Sequence, residues 1–244
     1  MFKRRLQNLR SVFTTSFAFA LLVAVAVFGL FGQTANATPI AVTNSGFEAI
    51  PLSDGQFTQV PGFGCVLPTC VASTAPVPAW TPIGNATNVA TLNPTVGMFP
   101  TIPGGENIAV INGGAALSQT LPAILTANTL YTLEVFVGNR LDAPFPGYIV
   151  ELFAGAERII VEESLTPGSG EFALSSSTFT ALAGDSSLGE TLEIRLTSLG
   201  LQTAFDNVSL TAATLSVSEP GALAIFALGL AGTYVSTRRR KATQ

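Results

Sequence analysis

The stretch TLYTLEVFV, residues 129–137, decides the fold class. Tyr131, Leu133, Val135 and Val137 share one parity, and Thr132 and Glu134 stand between them. An extended chain with this alternation sets one face on a core and the other in water. TLEIRLTSL (191–199) repeats the pattern, with Leu192, Ile194 and Leu196 opposite Glu193, Arg195 and Thr197. GYIVELFAG (147–155), ERIIVEE (157–163) and EFALSSSTFTAL (171–182) continue it, and the separators PGSG and AGDSSLG are turn chemistry. Upstream, IAVTNSGFEAI (40–50), NVATL (88–92), NIAVIN (107–112) and ALSQTL (116–121) read as further strands. About nine or ten short strands over about 180 residues predict an all-β, two-sheet antiparallel sandwich. Residues 51–87, rich in Pro and Gly, read as long loops at one end of it, and no internal repeat is visible.

The ends of the chain are of another kind. Lys3, Arg4, Arg5 and Arg10 precede an uncharged stretch, Ser11 to Ala37, with an apolar centre from Phe17 to Phe31. Ala35 and Ala37 are the small residues that a signal peptidase reads, so residues 1–37 form a secretory signal peptide; the other reading is an uncut transmembrane helix. At the far end an uncharged run, Gly221 to Thr237, is followed by Arg238, Arg239, Arg240 and Lys241. Those 17 residues span about 25 Å as a helix, the short limit for a bilayer, with the cations on the cytoplasmic side. The expected layout is a signal segment (1–37), a sandwich domain (38–217) and a membrane-crossing tail (218–244).

Fourteen of the 15 acids, but only Arg140, Arg158 and Arg195 among the cations, lie between Thr38 and Val217, a net charge of −11. Nucleic acid and anionic lipid are repelled by such a domain. The chain has no His, so relays and metal sites built on imidazole are excluded. Lys is absent from the middle, which removes Schiff-base and Ser-Lys chemistry. A glycosidase using only carboxylates, drawn from Glu151, Glu157, Glu162 and Glu163, survives this exclusion; alternation places Glu151 and Glu157 on solvent-facing positions. Cys65 and Cys70, in CVLPTC, are expected to form a disulfide after export.

One strand breaks its pattern. In TAFDNVSLTA (203–212), Val208 and Leu210 mark the core side, and Asp206 has the same parity. A carboxylate facing a core needs a partner, so Asp206 either ligates a cation such as Ca²⁺ or caps a turn at the strand's start.

The order of NSGFE (44–48), PAW (78–80), LSQTL (117–121), LYTLEVFVG (130–138) and FDNVSL (205–210) resembles the galactose-binding-like jelly roll of carbohydrate-binding modules. The resemblance implies a structural Ca²⁺ held by Glu48 and Asp206, and a sugar site offering ring faces. Trp80, Phe99 and Tyr148 are the ring candidates, with Phe63 and Phe145 beside them, although Trp80 also suits a core plug. The tail resembles the PEP-CTERM sorting signal: Ser218, Glu219 and Pro220 stand at its tripeptide, Ser replacing the first Pro. This implies recognition by an exosortase at the inner membrane, then release or transfer to the cell surface or extracellular matrix. The function expected from sequence is a non-catalytic surface or matrix protein that binds exopolysaccharide. The alternatives are a purely structural or adhesive envelope protein and, third, the glycosidase.

Overall fold

A computed structural model describes residues 36–62, 66 and 68–215. The residues of the signal segment up to Ala35, together with Phe63, Cys65, Ser218, Glu219, Pro220 and the apolar tail, lie outside the described residues. Residues 36–215 form a single unit.

Thirteen strands follow one another: β1 Ala37–Ile40, β2 Phe57–Gln59, β3 Cys70–Ala72, β4 Thr81–Ile83, β5 Val89–Leu92, β6 Ile108–Ile111 and β7 Ala116–Ile124. After these come β8 Thr129–Asn139, β9 Tyr148–Ala154, β10 Glu157–Glu162, β11 Glu171–Ala181, β12 Thr191–Ser198 and β13 Thr203–Thr214. The larger sheet has eight strands in the order β11-β8-β13-β6-β5-β2-β3, with β1 added along the far half of β13. The smaller runs β10-β9-β12-β7-β4. Every pairing is antiparallel except β2 with β3. The sandwich expected from the alternation is present; the loop-like region 51–87 adds the short strands β2, β3 and β4.

The main core lies between the sheets. Tyr131, Leu133, Val135 and Val137 of β8 meet Leu192, Ile194 and Leu196 of β12, and all seven are at most 2 % exposed. These are the residues whose period of two announced the fold. Trp80 sits 5.7 Å from Phe47 between ring centroids, and its Nε1 donates to the Asn44 carbonyl. Buried Gln119 on β7 accepts from Thr43 N and donates to the carbonyls of Thr43 and Ala79, so NSGFE and PAW are tied to LSQTL.

β13 does not keep its parity. Phe205 belongs to the main core, as do Val208 and Leu210, so one extra residue is inserted between them. The register with β8 shifts between Asp206 and Ser209, and Asn207 adopts φ 47°, the left-handed conformation that Asn tolerates. Asp206 therefore pairs with Phe136 and faces away from Val208, on the outer side of the large sheet with Ala204. Equal parity points to the core side; the bulge reverses it.

Candidate active site on the outer face of the large sheet

A second apolar cluster occupies that outer face. Leu92 of β5, Ile108 and Val110 of β6 and Ala204 of β13 form its floor. Phe99 and Phe172 cover them, ring centroids 4.6 Å apart, with Phe57, Met98 and Ile102 packed at the rim. These side chains are buried beneath the 94–102 segment, as in the satellite clusters that form under long loops. Beside the rings lies a cavity of about 440 Å³, bounded by Phe57, Leu92, Met98, Val110, Arg140 and Gln202 among others. A more open hollow of about 600 Å³ lies on the other flank of the 94–102 segment, against Leu52, Val96, Phe99, Ile102 and Glu106.

The polar wall of the smaller cavity is built on Arg140. Its Nε and Nη2 donate to the two carboxyl oxygens of Asp142 at 2.9 and 2.7 Å, and Nη1 donates to Gln202 Oε1. The hydrogen bond from Arg140 holds the Asp142 carboxyl below its ordinary range. The pair carries no net charge.

Asp206 is fully buried on the same face. One carboxyl oxygen accepts from its neighbour's backbone, Asn207 N, at 2.7 Å, and Gly104 N–H adds a second bond to the carboxyl. Oδ2 has no partner. Burial, with a smaller contribution from the Glu48 charge, pushes the acid up to about 7 against the two backbone bonds. Asp206 is thus a carboxyl held near neutrality with one oxygen unspent.

Glu48 is beside it and differently used. Its Oε1 accepts from Glu106 N and Asn107 N, both at 2.9 Å, and Oε2 from Asn107 Nδ2 at 2.9 Å. It clamps the 104–107 loop under the bulge, and Gly105, at φ 64°, leaves the space: a Cβ there would collide with Oε1. The fold brings Glu48 and Asp206 together, but their donors suit Ca²⁺ poorly. Calcium takes six to eight oxygens, whereas three of these four carboxyl oxygens already face N–H groups, whose positive ends a cation would meet. No group of three acids that could hold a metal occurs among the described residues.

The ring candidates are buried: Trp80 at 4 %, Tyr148 at 0 % and Phe99 at 2 % exposed. Trp80 is the core plug, and the Tyr148 hydroxyl bonds Glu162 at 3.3 Å inside the sandwich. Neither presents a face for a sugar. Phe99 alone of the three lies on the outer face, against Phe172. Cys70 is buried and disulfide-bonded; Cys65 lies outside the described residues. Glu151 pairs with Arg158 at 3.0 Å and is nearly buried rather than solvated, and Glu157 bonds Ser186 and Ser187. Phe57, Phe172, Arg140 and Gln202 carry no sequence pattern that singles them out. The one available signal was Gly138, a glycine inside an otherwise continuous strand, which marks a close approach.

Comparison with known proteins defines the class. Residues 38–211 match the model of the HpiC1-like family, described as HpiC1 cyclase, and the chain belongs to that family. A cyclase from Fischerella sp., solved in its apo form, is 27 % identical with a TM-score of 0.64, over 75 % of this chain and 100 % of that one. The Stig cyclase Fisc of Fischerella sp. TAU, in complex with (3Z)-3-(1-methyl-2-pyrrolidinylidene)-3H-indole, is 29 % identical with a TM-score of 0.63, over 74 % and 100 %. A cyclase from Fischerella sp. TAU in complex with 4-(1H-indol-3-yl)butan-2-one is 28 % identical with a TM-score of 0.61, over 74 % and 100 %. No curated protein matches.

These matches overturn the expectation of a non-catalytic binding domain. The absence of His from the chain and of Lys from its middle excludes imidazole relays and Schiff bases, but leaves proton transfer by carboxyl groups open. Residues 216–241 match the PEP-CTERM protein-sorting motif, which implies exosortase processing of an exported, membrane-anchored surface protein. No helix among the described residues is long and apolar enough to cross a membrane.

Proposed function

We propose that residues 36–215 are an exported cyclase that closes a ring on an indole-bearing substrate held against the outer face of the large sheet. The observation that carries this reading is a cavity of about 440 Å³, part apolar and part polar, on the same sheet face as the buried, half-satisfied carboxyl of Asp206, which lies outside its lining. Its volume suits a small aromatic ligand, and the relatives that bind indole compounds share this domain over its whole length.

Asp206 is the proton donor. A general acid must keep its proton near the working pH, and burial holds this one at about 7. The step balances as an isomerisation. The carboxyl protonates an unsaturated carbon of the substrate. The indole π system then supplies the electron pair of a new C–C bond, and the proton returns to the carboxylate when aromaticity is restored. Substrate and product have one formula. Asp206 is fully buried and lines neither hollow, so the reading requires the covering segment, residues 94–106, to open before substrate can reach the carboxyl. The surrounding apolar side chains exclude water, which would otherwise capture the cation.

The sorting motif supports a place for this reaction outside the cytoplasm. A signal peptidase acts at Ala37 and an exosortase near Glu219 and Pro220, leaving the domain at the cell surface or in the extracellular matrix. The decisive experiment incubates the full chain in detergent with a panel of indoles bearing an unsaturated side chain. Ring-closed isomers of unchanged mass are expected, resolved by chromatography and NMR. A panel returned unaltered by well-folded protein sinks the reading.

A further inference from the structure

The hydrogen bonds at the cavity wall all run one way. Asp142 receives from Arg140, and Arg140 donates through Nη1 to Gln202 Oε1. Gln202 Nε2 reaches Asn112 Oδ1 at 3.5 Å, and Asn112 Nδ2 reaches the Asn88 carbonyl at 3.4 Å. A guanidinium can only donate, so Gln202 must give it the amide oxygen and turn its NH₂ the other way. The bond from that NH₂ is at the outer limit of length, which leaves its donor capacity largely unspent. The backbone at Gln202 has φ 127°, a conformation that side-chain-bearing residues rarely adopt and that the fold holds in place. Thr203, the first residue of β13, anchors it by donating to the Gly147 carbonyl at 2.7 Å.

From this geometry we infer that Gln202 is the specificity-determining residue of the cavity, selecting a neutral, flat ligand that carries a hydrogen-bond acceptor such as a carbonyl. The Arg140–Asp142 pair is the positioning element: it fixes which end of the amide faces the cavity and cancels its own charge. An anion gains nothing from this wall and is opposed by the net −11 of the domain. The floor of Ala90, Leu92 and Val110 takes the apolar body of the ligand. Gln59 also borders the cavity with its oxygen taken by Val60 N, so its NH₂ is the rival donor, and Gln59→Leu decides between the two amides. The inference rests on the placement of the substrate in this cavity.

The test compares two probes of nearly equal shape, 4-(1H-indol-3-yl)butan-2-one and 3-butylindole, which lacks the carbonyl. Their binding to the full chain in detergent is measured by titration calorimetry. The ketone should bind the wild type about tenfold tighter, the worth of one well-made neutral hydrogen bond. In Gln202→Leu the ratio should fall to near one through loss of ketone affinity alone. Gln202→Glu keeps the shape and removes the donor, so it should behave alike if Leu disturbs folding, and Gln59→Leu should keep the wild-type ratio. A tenfold preference that survives in both Gln202 variants, a preference absent from the wild type, or one abolished by Gln59→Leu overturns the assignment while leaving the cavity as the site. Failure of the wild type to bind either probe removes the site itself, and the assignment with it.

Discussion

The ring of Phe172 occupies the space that a side chain at position 138 would need. A Cβ on Gly138 would stand 2.6 Å from two ring carbons of Phe172 and 3.0 Å from the Cβ of Ala204. Because residue 138 has no side chain, the Phe172 ring can approach the strand closely there, and it meets Phe99 at a tilt of 39°. Gly138→Ala should lift the ring, lower stability by about 1–3 kcal/mol and part the Phe99–Phe172 pair. Thermal unfolding measures the first effect, and the affinity for an indole ketone, also expected to drop, measures the second. A variant as stable as wild type would mean that Phe172 moves at no cost.

Asp206 makes stability depend on pH in an unusual direction. Its acid is raised from 3.8 to about 7 in the folded chain. The folded state therefore holds a proton that the unfolded state releases between those values, and stability falls as pH rises from about 4 to about 7. The loss is on the order of 4 kcal/mol when complete. Asp206→Asn should flatten that slope in denaturant titrations at several pH values, and an unchanged slope would place the proton elsewhere.

Turnover has its own dependence on the same group. Only the neutral acid donates, so activity should fall about tenfold per pH unit above the acid's midpoint. Asp206→Asn should abolish ring closure while leaving indole binding within a few-fold of wild type. Glu48→Gln removes the neighbouring charge that helps to raise Asp206, and should move the alkaline limb of the profile to lower pH.

Glu48 is expected to act as a clamp. Glu48→Ala leaves the N–H groups of Glu106 and Asn107 and the Asn107 amide without their acceptor, at about 2–3 kcal/mol. Gly105→Ala should be at least as harmful, since its Cβ collides with the Glu48 carboxylate and its φ is positive. Any calcium response of the melting temperature should be the same in wild type and Asp206→Asn. A response lost with Asp206 would make it a cation ligand and disqualify it as the proton donor.

The sorting signal is tested apart from the fold. Replacing Glu219 and Pro220 by Ala should leave the tail attached, seen as an unprocessed mass of the exported protein. Correct processing of that double variant would count against recognition at this tripeptide.

How legible each feature is in the sequence depends on how local its determinant is. The sandwich is legible because β8 and β12 write their core face into every second residue. The facing of Asp206 is not, because one inserted residue at Asn207 reverses parity and a bulge has no fixed sequence sign. The cavity is illegible for another reason: Phe57, Met98, Val110, Arg140 and Gln202 come from five distant segments that only the strand order brings together. Trp80 and Tyr148 mislead because aromatic residues in a Pro-rich or turn-flanked context serve a core as readily as a ligand. The expectation of a non-catalytic domain leaves carboxylate chemistry open only as a glycosidase on Glu151, Glu157, Glu162 and Glu163, and it is the family match rather than any local pattern that overturns it.

The last strand of the sandwich is also the middle of its large sheet: β13 bridges β8 to β6 and accepts β1 along its far half. Until residues near 214 are available, those three strands have no common neighbour, and most of the sheet's pairings span long reaches of chain. The smaller sheet and the β11–β8 and β5–β6 pairs can form without β13, but the large sheet is joined into one piece only when that last strand arrives. Closure of the sandwich therefore waits on the C-terminal end of the domain, and a truncation that removes β13 should leave β8 and β6 without the strand that joins them.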